Sequence, residues 1–337
     1  MKAWVVEDTR AEQPLRWTEL PAPAATPGHA LIRVEAAALN FSDLLMVRGK
    51  YQIRPPRPFT PGQEVAGRVI AAAPGGRLMP GQRVASKVAW GGFAEEALVA
   101  EAMAIAIPDG IGTAEAAALP VVYTTAHIAL LRHGRLAAGE TVLVHAAAGG
   151  VGLAAVEIAV AHRARVIATV GGAATVGGAA AVGGAGKAAI ARAHGAAEAL
   201  DYRDAGWPER VKELTGGNGP DLVFDSVGGD VTEQSLKCIA WGGRLLIVGF
   251  SSGTIPAIPG NRLLLRNASA IGVYWSHERD AALVEETVRD LLALHAAGKI
   301  RPRVDTRFRL EELPQALAAL QSRQSTGKIV LRVGSQQ

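Results

Sequence analysis

Between Thr141 and Gly152 the chain reads TVLVHAAAGGVG, an apolar strand that runs straight into a small-residue turn and then a helix. This arrangement restricts the fold strongly. Glycine at Gly149, Gly150 and Gly152 lets the helix pack closely on the strand before it, and lets backbone N–H groups approach a ligand at the helix's positive end. The unit also opens a long alternation: helix Val151–His162, strand Arg165–Val170, helix Lys187–His194, strand Ala199–Leu200 and helix Trp207–Thr215. Strand Leu222–Asp225, helix Val231–Ile239 and strand Arg244–Phe250 continue it. Alternation at this pitch predicts a doubly wound parallel sheet with helices on both faces. A glycine turn alone is weak evidence, but at the head of such a series it reads as a dinucleotide site, with Ala148, Gly149, Gly150, Val151 and Gly152 around a pyrophosphate.

The chain before this series has a different rhythm. Met1–Val6 and Leu31–Ala37 read as strands separated by the Pro/Ala/Gly linker Pro21–Gly28. Apolar runs at Glu64–Ala72, Gln82–Val88 and Ala94–Val99 are punctuated by Pro61-Gly62, Pro74-Gly75, Pro80-Gly81 and Gly91-Gly92. Short strands at this spacing predict a barrel-like β domain. Helices are expected at Thr113–Leu119, Val121–Leu131, Ala281–Ala297 and Leu310–Ser322. A last strand, Lys328–Val333, is expected to return to the first domain and make it discontinuous. The boundaries that follow are 1–120 with 265–337 for the β domain and 121–264 for the dinucleotide domain, a division that suits 337 residues. From Thr169 the chain repeats TVGGAA, TVGGAA and AVGGAG, ending before Lys187. The repeat reads as an insertion in a surface loop, with an extended phosphate-cradling loop as the alternative.

Composition narrows the function. A single cysteine, Cys238, precludes an intramolecular disulfide and any multi-cysteine zinc site, and it suits a reducing cytoplasm. The N-terminus MKAWVVEDTR lacks a signal-peptide core, and no apolar stretch reaches the length of a membrane span. The 35 basic and 31 acidic residues are interspersed, and aromatic residues make up 5%, so no nucleic-acid surface is expected. Neither His127, His133, His162, His194 nor His295 has metal-ligand spacing, and they read as solvated or capping residues. His145 and Cys238 read as structural.

The second strand ends in Thr169, Val170 and Gly171, without the carboxylate that would bind a ribose 2′-hydroxyl. A 2′-phosphate instead wants small residues and a cation, so NADPH is expected over NADH, with Lys187 and Tyr202 (and Arg203 beside it) at that edge. Lys187 reads equally well as a solvated helix-start lysine. Val248, Gly249, Phe250 and Ser251 end a strand at the sheet's carboxyl edge, where ligands bind, although Phe250 also suits a core. Asp225, Ser226 and Val227 are candidates on the same ground.

Four stretches carry a resemblance over nearly the whole length: Ala38–Tyr51 (ALNFSDLLMVRGKY), Pro61–Gly67 (PGQEVAG), His145–Gly152 (HAAAGGVG) and Ser325–Leu331 (STGKIVL). In them the chain resembles the zinc-free quinone oxidoreductase (zeta-crystallin-like) branch of the medium-chain dehydrogenase/reductases. Zinc enzymes of that superfamily read Gly-His-Glu where this chain has Gln63, and they carry a cysteine-rich loop that it lacks. The resemblance implies a Rossmann doubly wound sheet inserted in a chaperonin-10-like β-barrel domain, with NADPH between the two. It implies Asn40, Asp43 and Tyr51 beside the nicotinamide and substrate. Thr125 is implied near the cofactor, with Lys328 near the cofactor or the cleft. From the residues alone, Asn40 reads as a turn residue, Asp43 as a helix cap and Lys328 as a strand-end lysine. The implied activity is hydride transfer to a quinone or α,β-unsaturated carbonyl compound without metal. An enoyl-thioester reductase using Arg262 and Arg266, or a non-catalytic NADPH-binding structural or regulatory protein, are the alternatives. A homodimer is also implied; its contact is expected at a strand or helix near Asn261–Trp275, which is apolar and follows the sheet, and the location is expected to be cytoplasmic.

Overall fold

The computed structural model describes residues 1–171 and 184–334. Most of the Gly/Ala repeat, residues 172–183, lies outside the described residues. The chain divides into two units, Met1–Val121 with Pro302–Gln337, and Val122–Arg301. The first begins with β1 (Lys2–Val6), β2 (Leu15–Glu19), β3 (His29–Ala38), α1 (Phe41–Val47), β4 (Glu64–Ala71), β5 (Arg83–Lys87), β6 (Glu96–Ala100), β7 (Ala104–Ala106) and α2 (Thr113–Ala117). The second opens with α3 (Thr124–His127), β8 (Thr141–Val144), α4 (Gly150–Ala161), β9 (Arg165–Val170), α5 (Gly184–Ala193), β10 (Glu198–Asp201) and α6 (Trp207–Leu214). It continues with β11 (Leu222–Asp225), α7 (Asp230–Cys238), β12 (Arg244–Ile247), α8 (Gly260–Leu264), β13 (Ser269–Gly272) and α9 (His277–Ala296). The chain then returns to the first unit with β14 (Val304–Asp305), α10 (Leu313–Gln321) and β15 (Lys328–Arg332).

β3 organises the first unit. One edge pairs with β4, and the other pairs with β6 through His29–Arg33 and with β15 through Ala36–Ala38. The returning strand expected from the sequence is therefore present, with Val330 opposite Ala38. The β3–β4 register shifts between Val34 and Ala36, and here glycine is obligatory: a Cβ on Gly67 would lie 1.9 Å from the Arg33 carbonyl oxygen. The curled sheet wraps a core that includes Ile32, Val65, Phe93, Leu313 and Leu331. Trp4 joins it and donates its indole N–H to the Leu310 carbonyl at 2.7 Å.

The second unit is a six-stranded parallel sheet in the order β10-β9-β8-β11-β12-β13. Connections run outward in both directions from β8 and β11, so the topological switch point lies between these two strands. α4 carries apolar residues on nearly every face and is buried along most of its length, as a helix packed within a domain should be. The expected helix Val121–Leu131 is longer and less regular: α3 is flanked by π-type turns at Leu119–Tyr123 and Ile128–His133.

The second boundary differs from the expected one. Residues 265–301, assigned to the β domain from sequence, belong to the parallel-sheet unit, because β13 pairs in register with β12 and α9 packs on α3. Four residues reading SAIG carry too little apolar pattern to be recognised as a strand.

Candidate active site

In the second unit the ligand-facing edge is built by turns that follow the strands. After β8 the chain reaches positive φ at Ala146, and Gly149 then caps α4 from an extended conformation. A Cβ on Gly152 would lie 2.3 Å from the Ala146 carbonyl oxygen and 2.8 Å from the Ala147 Cα. Only glycine permits this approach of helix to turn. The first-turn N–H groups of α4 have no intrahelical acceptors and carry the positive end of the helix dipole, the arrangement that suits a pyrophosphate.

Beneath the turn, His145 is fully buried with Nδ1 2.7 Å from the Thr169 hydroxyl and Nε2 2.7 Å from the Ser235 hydroxyl. Ser235 donates its own proton to the Val231 carbonyl, so Nε2 carries the imidazole proton and Nδ1 accepts from Thr169. Burial pushes the His145 pKa down to about 4, keeping the ring neutral. Thr169 was expected to line the ligand. Its hydroxyl is instead committed to His145 and its carbonyl accepts from Ala147 N–H, so the residue braces the turn from behind.

Asp225 is likewise withdrawn from the ligand edge. Its Oδ1 accepts from Val227 and Gly228 N–H at 2.8 and 3.0 Å, and its Oδ2 accepts from the Thr232 hydroxyl. The loop after β12 is laced to this one, with Ser251 N–H donating to Ser226 O and Ser252 N–H to Val227 O. Val248, Gly249, Phe250 and Ser251 thus lie at the carboxyl ends of the central strands and are all half-buried. Phe250 packs over Gly228. At the end of β9, the Tyr202 hydroxyl sits against Gly171, where an added Cβ would be 2.2 Å away. Arg203 is bound to Asp201 by two-pronged contacts in its own turn. Lys187 falls within α5 and is buried, because that helix starts at Gly184. Thr125 accepts from the Trp275 indole N–H at 3.0 Å.

The first unit holds a polar cluster in its interior. Lys328, 3% exposed on β15, directs Nζ to Leu39 O, Asn40 Oδ1 and Glu64 Oε2, each at 2.7 Å. The fully buried Glu64 also accepts from Asn40 Nδ2 at 3.1 Å and, through Oε1, from Val121 N–H at 2.7 Å. Asn40 precedes the first residue of α1, and its N–H donates to Asp43 Oδ2 at 2.7 Å. Asp43 is fully buried and its Oδ1 has no partner. Burial outweighs the Asn40 N–H and the Lys328 charge and pushes its pKa up to about 7.

Asn40, Asp43 and Lys328 are therefore brought together, and Lys328 is no solvated strand-end residue. Tyr51, in the same unit, packs against the small cluster of Val6, Met46, Val47 and Phe59. Sequence reasoning missed Glu64 as the centre of the cluster; the available signal was a carboxylate opening the apolar strand EVAGRVIA.

The donor set does not suit a catalytic zinc. Gln63 accepts from the Ser42 hydroxyl, and among the described residues no three His, Cys, Asp or Glu side chains are arranged to hold a metal ion. Cys238 is buried on α7, where burial pushes its thiol up to about 12. Of the histidines expected as solvated or capping residues, His127 is buried and His194 Nδ1 donates to Glu157 Oε1 at 2.7 Å.

Comparison with known proteins agrees with this architecture. The alcohol dehydrogenase GroES-like domain matches residues 26–109, and the zinc-binding dehydrogenase family matches residues 150–294. The chain belongs to the medium-chain dehydrogenase/reductase superfamily, and within it to the quinone oxidoreductase branch. Quinone oxidoreductase-like protein 2 of Mus musculus is 35% identical over 327 residues, 96% of this chain and 90% of that protein. The quinone oxidoreductase of Thermus thermophilus, solved also with NADPH, matches with a TM-score of 0.81 at 38% identity, covering 98% of this chain and 100% of that one. The Escherichia coli quinone oxidoreductase complexed with NADPH gives a TM-score of 0.88 at 28% identity, again over 98% and 100%. Among the described residues no helix is long and apolar enough to cross a membrane.

Proposed function

We propose that this oxidoreductase-family chain is an NADPH-dependent reductase that passes hydride to a quinone or an α,β-unsaturated carbonyl compound without a metal. The observation that carries the reading is the second unit's cradle: a helix start that only Gly152 allows, beside a β9 that ends at Val170 and is followed by Gly171, with no carboxylate. NADPH in the Thermus thermophilus and Escherichia coli structures supports the same choice. Bound reduced nicotinamide would supply the hydride. The chain's part is to hold and orient. Gly149, Gly150, Val151 and Gly152 with the backbone of Ala148 take the pyrophosphate; Gly171, Tyr202 and Lys187 take the 2′-phosphate end. Thr125 and Val248–Ser251 take the nicotinamide end. Asn40 and Tyr51 offer donors to the acceptor's oxygen as it gains charge, and Asp43 holds Asn40 in place.

NADPH oxidation with a panel of quinones and enones, and with NADH in parallel, tests this. Turnover of one class with preference for NADPH is expected; no turnover of either class by cofactor-saturated protein rejects it. Tyr51→Phe should lower turnover more than cofactor affinity, and equal activity removes Tyr51 from the mechanism. The chain is further proposed to be a cytoplasmic homodimer. β13 is the outer strand of its sheet, and Leu264, Leu265 and Tyr274 near it are 78%, 70% and 68% exposed. Light scattering should give twice the chain mass, and Leu264→Glu with Leu265→Glu should halve it.

A further inference from the structure

We propose that Lys328 and Glu64 are positioning residues that fix the Asn40 carboxamide in one orientation, leaving one Nδ2 hydrogen as a preorganised donor. The use of that donor toward an acceptor's oxygen rests on the function proposed above. The orientation itself rests on geometry alone.

A carboxamide is nearly symmetric in shape, so its direction is set by what meets its two ends. At one end of Asn40 stands an ammonium, which can only donate, 2.7 Å from Oδ1. At the other stands a carboxylate, which accepts from Nδ2 at 3.1 Å. Turning the amide over would set donor against donor and acceptor against acceptor inside a buried cluster, where neither can be relieved by water. The backbone is held too, through Asn40 N–H to Asp43 Oδ2.

Counting hydrogens identifies the free donor. Lys328 has three N–H groups and three acceptors at 2.7 Å, so its ammonium has none left for a ligand. Both Glu64 oxygens accept, one from Val121 N–H and the other from Lys328 and Asn40. Among these three groups the second Nδ2 hydrogen of Asn40 is the one left over, the Asp43 carboxyl being the other group close to the Asn40 side chain. Asn40 is the most exposed of the three, at 7% against 0% and 3%. Lys328 thus acts through Asn40 and makes no contact of its own with a cofactor. A donor held this way needs no reorganisation when charge develops near it.

The test is the double variant Lys328→Met with Glu64→Gln, which removes both buried charges together and keeps the side-chain shapes. In the ligand-free protein, the Asn40 side-chain amide signal in a ¹⁵N-asparagine spectrum is identified by its loss in Asn40→Ala. Its hydrogen exchange should quicken about tenfold in the double variant. The NADPH dissociation constant should stay within about twofold, while kcat with the acceptor falls about tenfold. Unchanged amide exchange overturns the proposal, as does an NADPH affinity weakened about tenfold, which would make Lys328 a cofactor contact. Asn40→Ala keeps the Lys328–Glu64 pair and serves if the double variant does not fold: kcat should fall by a similar factor with NADPH affinity retained, and unchanged kcat overturns the proposal. If the unaltered chain reduces no quinone or enone, the proposed function fails while the amide signal still decides the orientation.

Discussion

The glycine cradle of one unit and the Asn40–Glu64–Lys328 cluster of the other are assembled by opposite routes. In the parallel-sheet unit the cradle is local and made of backbone: a turn between β8 and α4, and an Asp225 carboxylate that holds N–H and hydroxyl groups no more than seven residues away. In the GroES-like unit the cluster is long-range and made of side chains, Asn40 meeting Glu64 across 24 residues and Lys328 across 288. A backbone cradle is sensitive to added volume, because its function is close approach. A buried side-chain cluster is sensitive to subtraction, because each charge in it is balanced by another. Substitutions that break one arrangement should therefore leave the other nearly untouched.

The largest effect is expected at the centre of the side-chain cluster. Glu64→Leu leaves the Lys328 ammonium and the Val121 N–H without their acceptor, and removing one partner of a buried pair costs about 3–5 kcal/mol. Adding Lys328→Met should recover most of that loss, since an apolar pair of similar volume carries no unbalanced charge. Urea unfolding of the single and double variants measures both. A single variant as stable as the parent would mean that the pair is not buried as described.

Acid–base behaviour separates the units by sign. Asp43 is raised by burial to about 7 from an unfolded value near 3.8, so between these limits the folded chain holds a proton that the unfolded chain has lost. Its contribution to stability is full below the lower limit and disappears as pH rises through about 7. His145 is lowered by burial to about 4 from near 6.5, so between those limits the unfolded chain binds the extra proton. Its contribution is full above the upper limit and disappears as pH falls through about 4. At about 1.4 kcal/mol per pH unit, the swings are at most roughly 4–5 kcal/mol for Asp43 and roughly 3–4 for His145. The stability difference between the parent and Asp43→Asn should shrink with rising pH, and that between the parent and His145→Gln should grow. Parallel trends would refute the contrast.

The same contrast explains what could be read from sequence. The alternation of strands and helices, the strand bounds Arg165–Val170 and Leu222–Asp225, and the glycine turn were legible because each is written within a dozen residues. Glu64 was not, since nothing in EVAGRVIA announces a lysine on a strand 264 residues further on. Thr169 misled for a related reason. It stands where a ligand-facing residue belongs, but its direction is decided by the distant imidazole of His145. The boundary at Arg301 was missed because β13 is short and half-exposed, and its membership of the sheet depends on pairing with β12. Motif proximity located Asn40, Asp43 and Lys328, but it could not say that they form one network.

Adding a single methyl group tests the backbone cradle. In Gly152→Ala the new Cβ would meet the Ala146 carbonyl oxygen at 2.3 Å and the Ala147 Cα at 2.8 Å, neither of which can swing aside. The helix start must move, at about 1–3 kcal/mol, and NADPH affinity should fall by about tenfold or more. Gly149→Ala is the control, since its Cβ would lie 3.3 Å from the Ala146 oxygen and needs only a small adjustment. Equal losses in the two would show that glycine is needed along the turn for conformation in general, and not at Gly152 for approach.

The smallest expected effect asks whether the support beneath the cradle matters at all. Ser235→Ala removes the hydroxyl that receives the His145 Nε2 proton, leaving one buried N–H unpaired while His145 Nδ1 still accepts from Thr169. Loss of one neutral buried hydrogen bond costs about 1 kcal/mol, to be read as a modest shift in the urea midpoint at neutral pH. The more informative reading is at the turn above. If His145 and Thr169 hold Ala147 by themselves, through the Thr169 carbonyl, NADPH affinity should change by less than about twofold. A larger change would extend the cradle downward into side chains that neither motif nor periodicity marks, and the two units would then differ less in how they are built than in how deep their polar groups run.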